Sequence, residues 1–378
     1  MKYSKRVIIY IMSPGFFPYI ARIPDGIEVV WYVYSPEVEI YTACGIDVGP
    51  YDFLAPKTAT FVKEHATNVA VRRHLEIWRR RFANFFEEAP TIMADAKLIG
   101  LTAALKELWA SFSGRILYRP FRGLFKSKEQ LRQKALLAEK LRHDALARID
   151  VVAMRDGPEY DLLLEKIPCL AKASRKDISG LIWGDDSPGD LSELDPKLYE
   201  KVKDRFVILL GCSARWMNNH IDAIDALASL NLPGDALVVA PLPSYNGTSS
   251  NSVIADYAIR RLGNKFLPLY DYRPTHVYDA FMSQAGVAIM NHGLSSGGMG
   301  TIMSLMCYGK KVFLNETGYN YRLFQHDNAT FLAMPMSRLT VEELYSPPDT
   351  ASVDAFKKYL IKRWGQEAVY KMYRNLLS

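Results

Sequence analysis

No two of the four cysteines (Cys44, Cys169, Cys212, Cys307) form a Cys-x-x-Cys pair, and they are scattered over 378 residues. That spacing argues against a tetrahedral zinc site and a disulfide framework, and it suits a reducing compartment. Long apolar runs are also missing. The longest near the start, Val7–Met12, is too short for a signal peptide or a bilayer span, so the chain is expected to be soluble and intracellular. Internal repeats and low-complexity segments are absent, and each of the seven histidines stands alone without metal-ligand spacing.

Apolar mass, by contrast, is ample. Hydrophobic residues make up 49% of the chain and charged residues 23%, which excludes a disordered chain and supplies enough for two cores. The length predicts two domains. Lys and Arg number 47 against 41 Asp and Glu, a net charge of +6, but the excess is segregated. Between Arg72 and Arg142 there are 16 basic against 7 acidic residues. A concentrated basic surface faces nucleic acid, anionic lipid or a phosphorylated ligand, and charge alone does not choose among them.

The second half has a clear rhythm. Apolar runs of strand length occur at Phe206–Leu210, Ala236–Ala240, Phe266–Leu269, Val287–Met290 and Val312–Leu314. Helical patterns alternate with them: Ile221, Ile224 and Leu227, then Val253–Leu262, Val277–Ser283 and Thr301–Tyr308. Such alternation predicts a parallel sheet covered on both faces. In the first half Val7–Met12, Val29–Tyr34, Val151–Met154 and Leu181–Trp183 read as strands, with a long basic helical insertion between the second and third. The predicted architecture is α/β: two Rossmann-like domains, the first carrying the insertion. The boundaries are 1–185 for the first domain (insertion about 60–147), 204–350 for the second, and 351–378 for a C-terminal helix. That helix, with Val353, Phe356, Leu360, Trp364 and Ala368 at helical spacing, is expected to be one long amphipathic rod packing back toward the N-terminal domain.

Two loops follow strands of the second domain. Gly211-Cys-Ser213 through Asn218-Asn-His220 opens one helix, and Gly297-Gly298-Met-Gly300-Thr301 opens another. Small residues at a strand's carboxyl end admit a ligand to the free amides of the next helix, which suits a phosphate. The plainer reading is a capped loop in which Asn218 or Asn219 bonds backbone amides, and for the glycines a flexible turn. Neither is a P-loop or a dinucleotide fingerprint. Together the loops point to a diphosphate site, beside which His220 and His292 fall.

Glu37 and Glu39 lie just past the second strand, where a carboxylate facing a cleft could take a proton from an attacking hydroxyl; most surface glutamates are simply solvated. Asp185-Asp186 and Arg155-Asp156 invite the same scepticism. No Asp-x-Asp pair occurs, so metal-held substrate phosphate is not supported. The block ending Arg115-Ile-Leu-Tyr-Arg-Pro-Phe-Arg-Gly-Leu-Phe-Lys126 interleaves rings and cations as a membrane-surface segment does, or as a packed helix pair with a solvated side. Nucleic acid has no binding motif beside the charge.

Gly211-x-Ser213…Asn218-x-His220 with its apolar helix, Ala236–Ala240 running into Pro241, Gly298-Met-Gly-Thr301 and Leu314-Asn315 resemble segments of the TDP-N-acetylfucosamine:lipid II N-acetylfucosaminyltransferases, or 4-alpha-L-fucosyltransferases, of enterobacterial common antigen synthesis. Trp31-Tyr-Val-Tyr-Ser-Pro-Glu37 is similar to that family's Trp-Gly-Ala-Asp strand, with Glu37 for Asp, and Ala153-Met-Arg155-Asp to its Ala-Thr-Arg-Gly. Cys212 stands where the family tends to have Asn, and Ser295 where it has a basic residue. The likeness covers about 6–40 and 149–320 and starts part-way into the family's first domain, as though early strand–helix units were missing. The resemblance implies a GT-B glycosyltransferase. It would move a deoxy-amino sugar, with inversion and without metal or other cofactor, from a nucleotide diphosphate to a lipid-diphosphate-linked glycan in surface polysaccharide synthesis. Gly211, Ser213, Asn218, His220, Gly298, Gly300 and Thr301 would contact the donor, and Glu37 would be the base. The enzyme would sit on an anionic membrane surface, peripheral on the inner face of the cell membrane. Transfer to a soluble acceptor, and an inactive interaction module on the same frame, are the other two readings.

Overall fold

In the computed structural model the described residues are 5–9, 16–33, 54–64, 128–155, 157–178, 189–190, 192, 194–243, 250–271, 274–293 and 297–377. Glu37, Glu39, Asp156, Asp185, Asp186, Ser295, residues 179–188 with Leu181–Trp183, and most of the basic block lie outside them. One compact unit takes in 1–62, 140–245 and 250–378, and holds both sheets described below. A second comprises 63–139 with 246–249; its described residues, 63–64 and 128–139, are helical. Among the described residues no helix is long and apolar enough to cross a membrane.

The first sheet is parallel, with β1 (Lys5–Ile9), β2 (Ile27–Tyr32), β3 (Val151–Met154) and β4 (Ser174–Asp177) side by side in that order. Around it pack α1 (Phe17–Ile20), α3 (Lys128–Ala147) and α4 (Pro158–Lys166), whereas α2 (56–64) is held by Asp222 and sets Phe61 beside Trp216 and Tyr257. Two-residue periodicity divides β2 between two cores. Val29 and Trp31 pack with Val152, Met154 and Leu163, whereas Val30 and Tyr32 pack with Val151, Ala153 and Leu376 from the chain's end. Both faces of the two central strands are buried, which is why Val29–Tyr32 and Val151–Met154 read as unbroken apolar runs.

After α5 (Pro196–Val202), the second sheet comprises β5 (Phe206–Leu210), β6 (Ala236–Pro241), β7 (Phe266–Leu269), β8 (Ala285–Met290), β9 (Lys311–Leu314) and β10 (Ala333–Pro335), all parallel. The spatial order is β10-β9-β8-β5-β6-β7. Counted from β5, this is the doubly wound 3-2-1-4-5-6 order, so the sheet reverses direction between β5 and β8. The helices are α6 (His220–Ser229), α7 (Ser250–Leu262), α8 (Thr275–Gln284), α9 (Met299–Cys307), α10 (Tyr319–His326) and α11 (Val341–Tyr345). Val207, Leu209, Ala288, Met290, Val312 and Leu314 face one core, and Ile208, Leu210, Val287, Ile289 and Phe313 the other.

The C-terminal tail is not the single rod that its spacing predicts. It breaks into α12 (Thr350–Trp364) and α13 (Gln366–Leu377) at Gly365, whose ψ of 155° is extended. The break lets α12 bury Phe356, Leu360 and Trp364 in the core beside the second sheet while α13 sends Leu376 against β2 and β3. Tyr373 meets Tyr32 hydroxyl to hydroxyl at 3.0 Å, and Arg6 donates to the Leu376 carbonyl.

Candidate functional site

Open α/β sheets bind ligands beyond the carboxyl ends of their strands, where the strand order reverses. Here the two connections at that point are the loop from Gly211 to Asn219 after β5 and the loop from Asn291 to Gly298 after β8. They touch. Cys212 Sγ lies 3.8 Å from His292 Nε2, and a Cβ on Gly298 would come within 2.9 Å of His292 Cε1 and 3.1 Å of Cys212 Sγ. With φ at +73°, Gly298 caps α9 in the left-handed region, so both its backbone and its neighbours demand glycine.

The predicted site residues fall into two groups. Gly211, Ser213, Asn218 and His220 form the inside of the first loop, and all are buried. Asn218 accepts from the Cys212 amide at 3.2 Å, and its own amide group donates to Ser213 Oγ and to the Arg215 carbonyl, each at 3.2 Å. Asn218 therefore bonds a backbone amide within its own loop, as the plainer reading expects, although no side chain caps the start of α6. His220 lies beneath Gly211, where a Cβ would stand 2.7 Å from Nε2, and neither ring nitrogen has a hydrogen-bond partner.

Gly298, Gly300 and Thr301 form the second group, at the start of α9. No side chain caps this helix. Its first amides, Met299 to Thr301, precede the Ile302 amide that makes the first backbone bond, to the Gly298 carbonyl at 2.9 Å. Gly300 is exposed, and a Cβ there would meet nothing within 4 Å. Of the two loops, the second thus offers amides without a bond among the described residues, together with the positive dipole end of α9.

Electrostatics sharpen the distinction. Burial, with a further push from His292, lowers the His220 pKa to about 3, and burial lowers that of His292 to about 4. Both rings are neutral at pH 7, so the attraction for an anion comes from the helix end. Burial also pushes the Cys212 thiol up to about 11, too high for a thiolate nucleophile.

Asn219 is the residue whose role local pattern does not reveal. It is left-handed (φ 49°, ψ 45°) and ties three segments together. Its Oδ1 accepts from the Ala55 amide at 2.8 Å, its Nδ2 donates to the Asn291 carbonyl at 2.7 Å, and Asn291 Nδ2 returns a 3.3 Å bond to the Asn219 carbonyl. Asp222 then holds the start of α2 through the Lys57 and Thr58 amides, at 3.1 and 2.6 Å. Asn320 braces the glycine run from the other side, donating to the Gly297 carbonyl at 3.1 Å. Replacing Asn219 by Ala is expected to cost about 2 kcal/mol in urea unfolding. Asn219→Gly, which keeps the left-handed backbone, should cost roughly 1 kcal/mol less.

No protein-family model matches the chain, and no curated protein matches it. Among solved structures it is similar to the UDP-forming alpha,alpha-trehalose-phosphate synthase of Burkholderia xenovorans in complex with glucose-6-phosphate (12% identity, TM-score 0.48, covering 65% of this chain and 64% of that one). It is also similar to Anabaena HepE in complex with UDP and glucose (13%, 0.45, covering 99% and 98%) and to a glycosyltransferase of Rickettsia africae (13%, 0.40, covering 67% and 81%). The chain spans less than two thirds of the Burkholderia synthase.

Proposed function

We propose that this chain is a nucleotide-sugar-dependent glycosyltransferase that moves a deoxy-amino sugar of the N-acetylfucosamine kind to a lipid-linked glycan. The observation that carries the reading is the uncapped, glycine-lined start of α9 at the reversal between β5 and β8. Amides of Met299, Gly300 and Thr301 would donate to the donor's diphosphate. Gly211, Ser213, Asn218 and His220 would shape the wall of its pocket.

As the glycosidic bond breaks, negative charge grows on the departing nucleotide diphosphate. A helix end aimed at that charge binds the transition state more strongly than the ground state, so it raises the rate. The acceptor hydroxyl oxygen would attack the anomeric carbon from the opposite face, Glu37 would take the hydroxyl proton, and the configuration would invert. No metal is required, because the helix end and amides meet the charge. The sugar and the lipid-linked acceptor are supported by the sequence resemblance, and a place at the membrane surface by the basic, aromatic block from Arg72 to Arg142.

A thermal-shift panel of UDP, TDP, GDP, CDP and ADP tests the proposal. One of them at a hundred times its Kd should stabilise the protein by about 2.7 kcal/mol. Stabilisation by none of them would overturn the reading and leave the inactive module, which the internal satisfaction of Asn218 favours. Flotation with anionic vesicles then separates lipid-linked from soluble acceptors.

A further inference from the structure

β4 is out of character. Strands of parallel sheets buried on both faces read as apolar runs, yet β4 is Ser174-Arg-Lys-Asp177. Charge on an edge strand discourages pairing with another chain, which accounts for one lysine but not for what surrounds it. Arg175 and Lys176 line a hollow of about 550 Å³, and Lys362 of α12 and Lys371 of α13 line it from across the break at Gly365. The single carboxylate there, Asp177, is engaged by Arg363 at 3.0 Å. Ala368 and Met372 supply an apolar wall.

The four cations are unequal in their commitments. Arg175 stacks over the Tyr160 ring at 4.4 Å, and Lys176 donates to the Asn375 carbonyl at 3.3 Å. Lys362 and Lys371 are exposed and make no hydrogen bond or ion pair among the described residues. Burial lowers the Arg175 pKa, Asp177 opposes the shift and Arg363 adds to it, as expected where positive charge outweighs negative. The volume is that of a small-molecule pocket.

We infer that this hollow binds a phosphate group of a compact anion, separately from the donor site, and ties the edge of the first sheet to the α12–α13 joint. An anion held there touches cations from β4 and from both sides of Gly365. It should therefore stabilise the molecule as well as bind to it.

Inorganic pyrophosphate is the probe, used on the full chain carrying Gly300→Trp so that the start of α9 is blocked. Calorimetry and thermal shift should still show saturable binding and a raised Tm. Adding Lys362→Ala and Lys371→Ala should weaken that binding about tenfold. Both lysines are exposed and unbonded, so the fold should survive. Flotation with phosphatidic acid vesicles, against phosphatidylcholine alone, identifies the source of the phosphate. Flotation weaker in the lysine variant than in its Gly300→Trp parent assigns a lipid headgroup, and flotation equal in the two proteins, with pyrophosphate binding weakened, assigns a soluble ligand. The inference is overturned if pyrophosphate leaves the Gly300→Trp protein unaffected, or binds the lysine variant equally well. Neither result bears on the nucleotide panel, which uses the unaltered chain.

Discussion

Gly300→Trp should abolish nucleotide diphosphate binding, a loss of at least about 100-fold or roughly 2.7 kcal/mol, while leaving the protein folded. The fold has room, since a Cβ at Gly300 meets no atom within 4 Å. Glycine within a helix costs about 0.5–1 kcal/mol relative to alanine, so Tm should hold or rise slightly. An indole at that position covers the amides of Met299 to Thr301, which a diphosphate would need. Gly298→Ala is the contrasting variant. There φ is +73° and His292 stands 2.9 Å from the new carbon, so that substitution should lower Tm as well as binding. Calorimetry and thermal melts on the two proteins separate a filled site from a distorted one. Unchanged affinity in Gly300→Trp would remove α9 from the site.

Acid should destabilise the protein well above the carboxylate range. His220 and His292 have their folded pKa values lowered to about 3 and about 4 by burial. In the unfolded chain each takes a proton near pH 6.5. The unfolded state thus binds more protons as pH falls from 6.5, and stability, full above that value, declines toward pH 4 for His292 and toward pH 3 for His220. Between pH 8 and pH 5 the two rings together should cost about 4 kcal/mol, a fall in Tm of roughly 5–10 °C. His220→Gln with His292→Gln should flatten that limb. An equal acid loss in the double variant would place the titrating groups elsewhere.

The second sheet was legible because its chemistry is local. Phe206–Leu210 and Phe266–Leu269 are strands with the bounds their apolar runs predict, and both predicted loops lie at the reversal. β4 escaped because it is polar; the predicted strand Leu181–Trp183 lies outside the described residues. β10 is three residues ending in proline, too short to register. The break at Gly365 is hidden because apolar residues keep helical spacing through it, although α12 and α13 serve different cores. Within the site, sequence placed the glycines but not the division of labour between the loops. That division depends on Asn218 turning inward and on Asn219 reaching Ala55 and Asn291, contacts that no spacing encodes.

Hydrogen exchange, with and without the nucleotide diphosphate that stabilises the protein most, tests the diphosphate cradle most directly. Exchange should slow in peptides covering 297–303, with a smaller effect in 211–219. Protection confined to other segments, with 297–303 exchanging as fast as in the free protein, would contradict it.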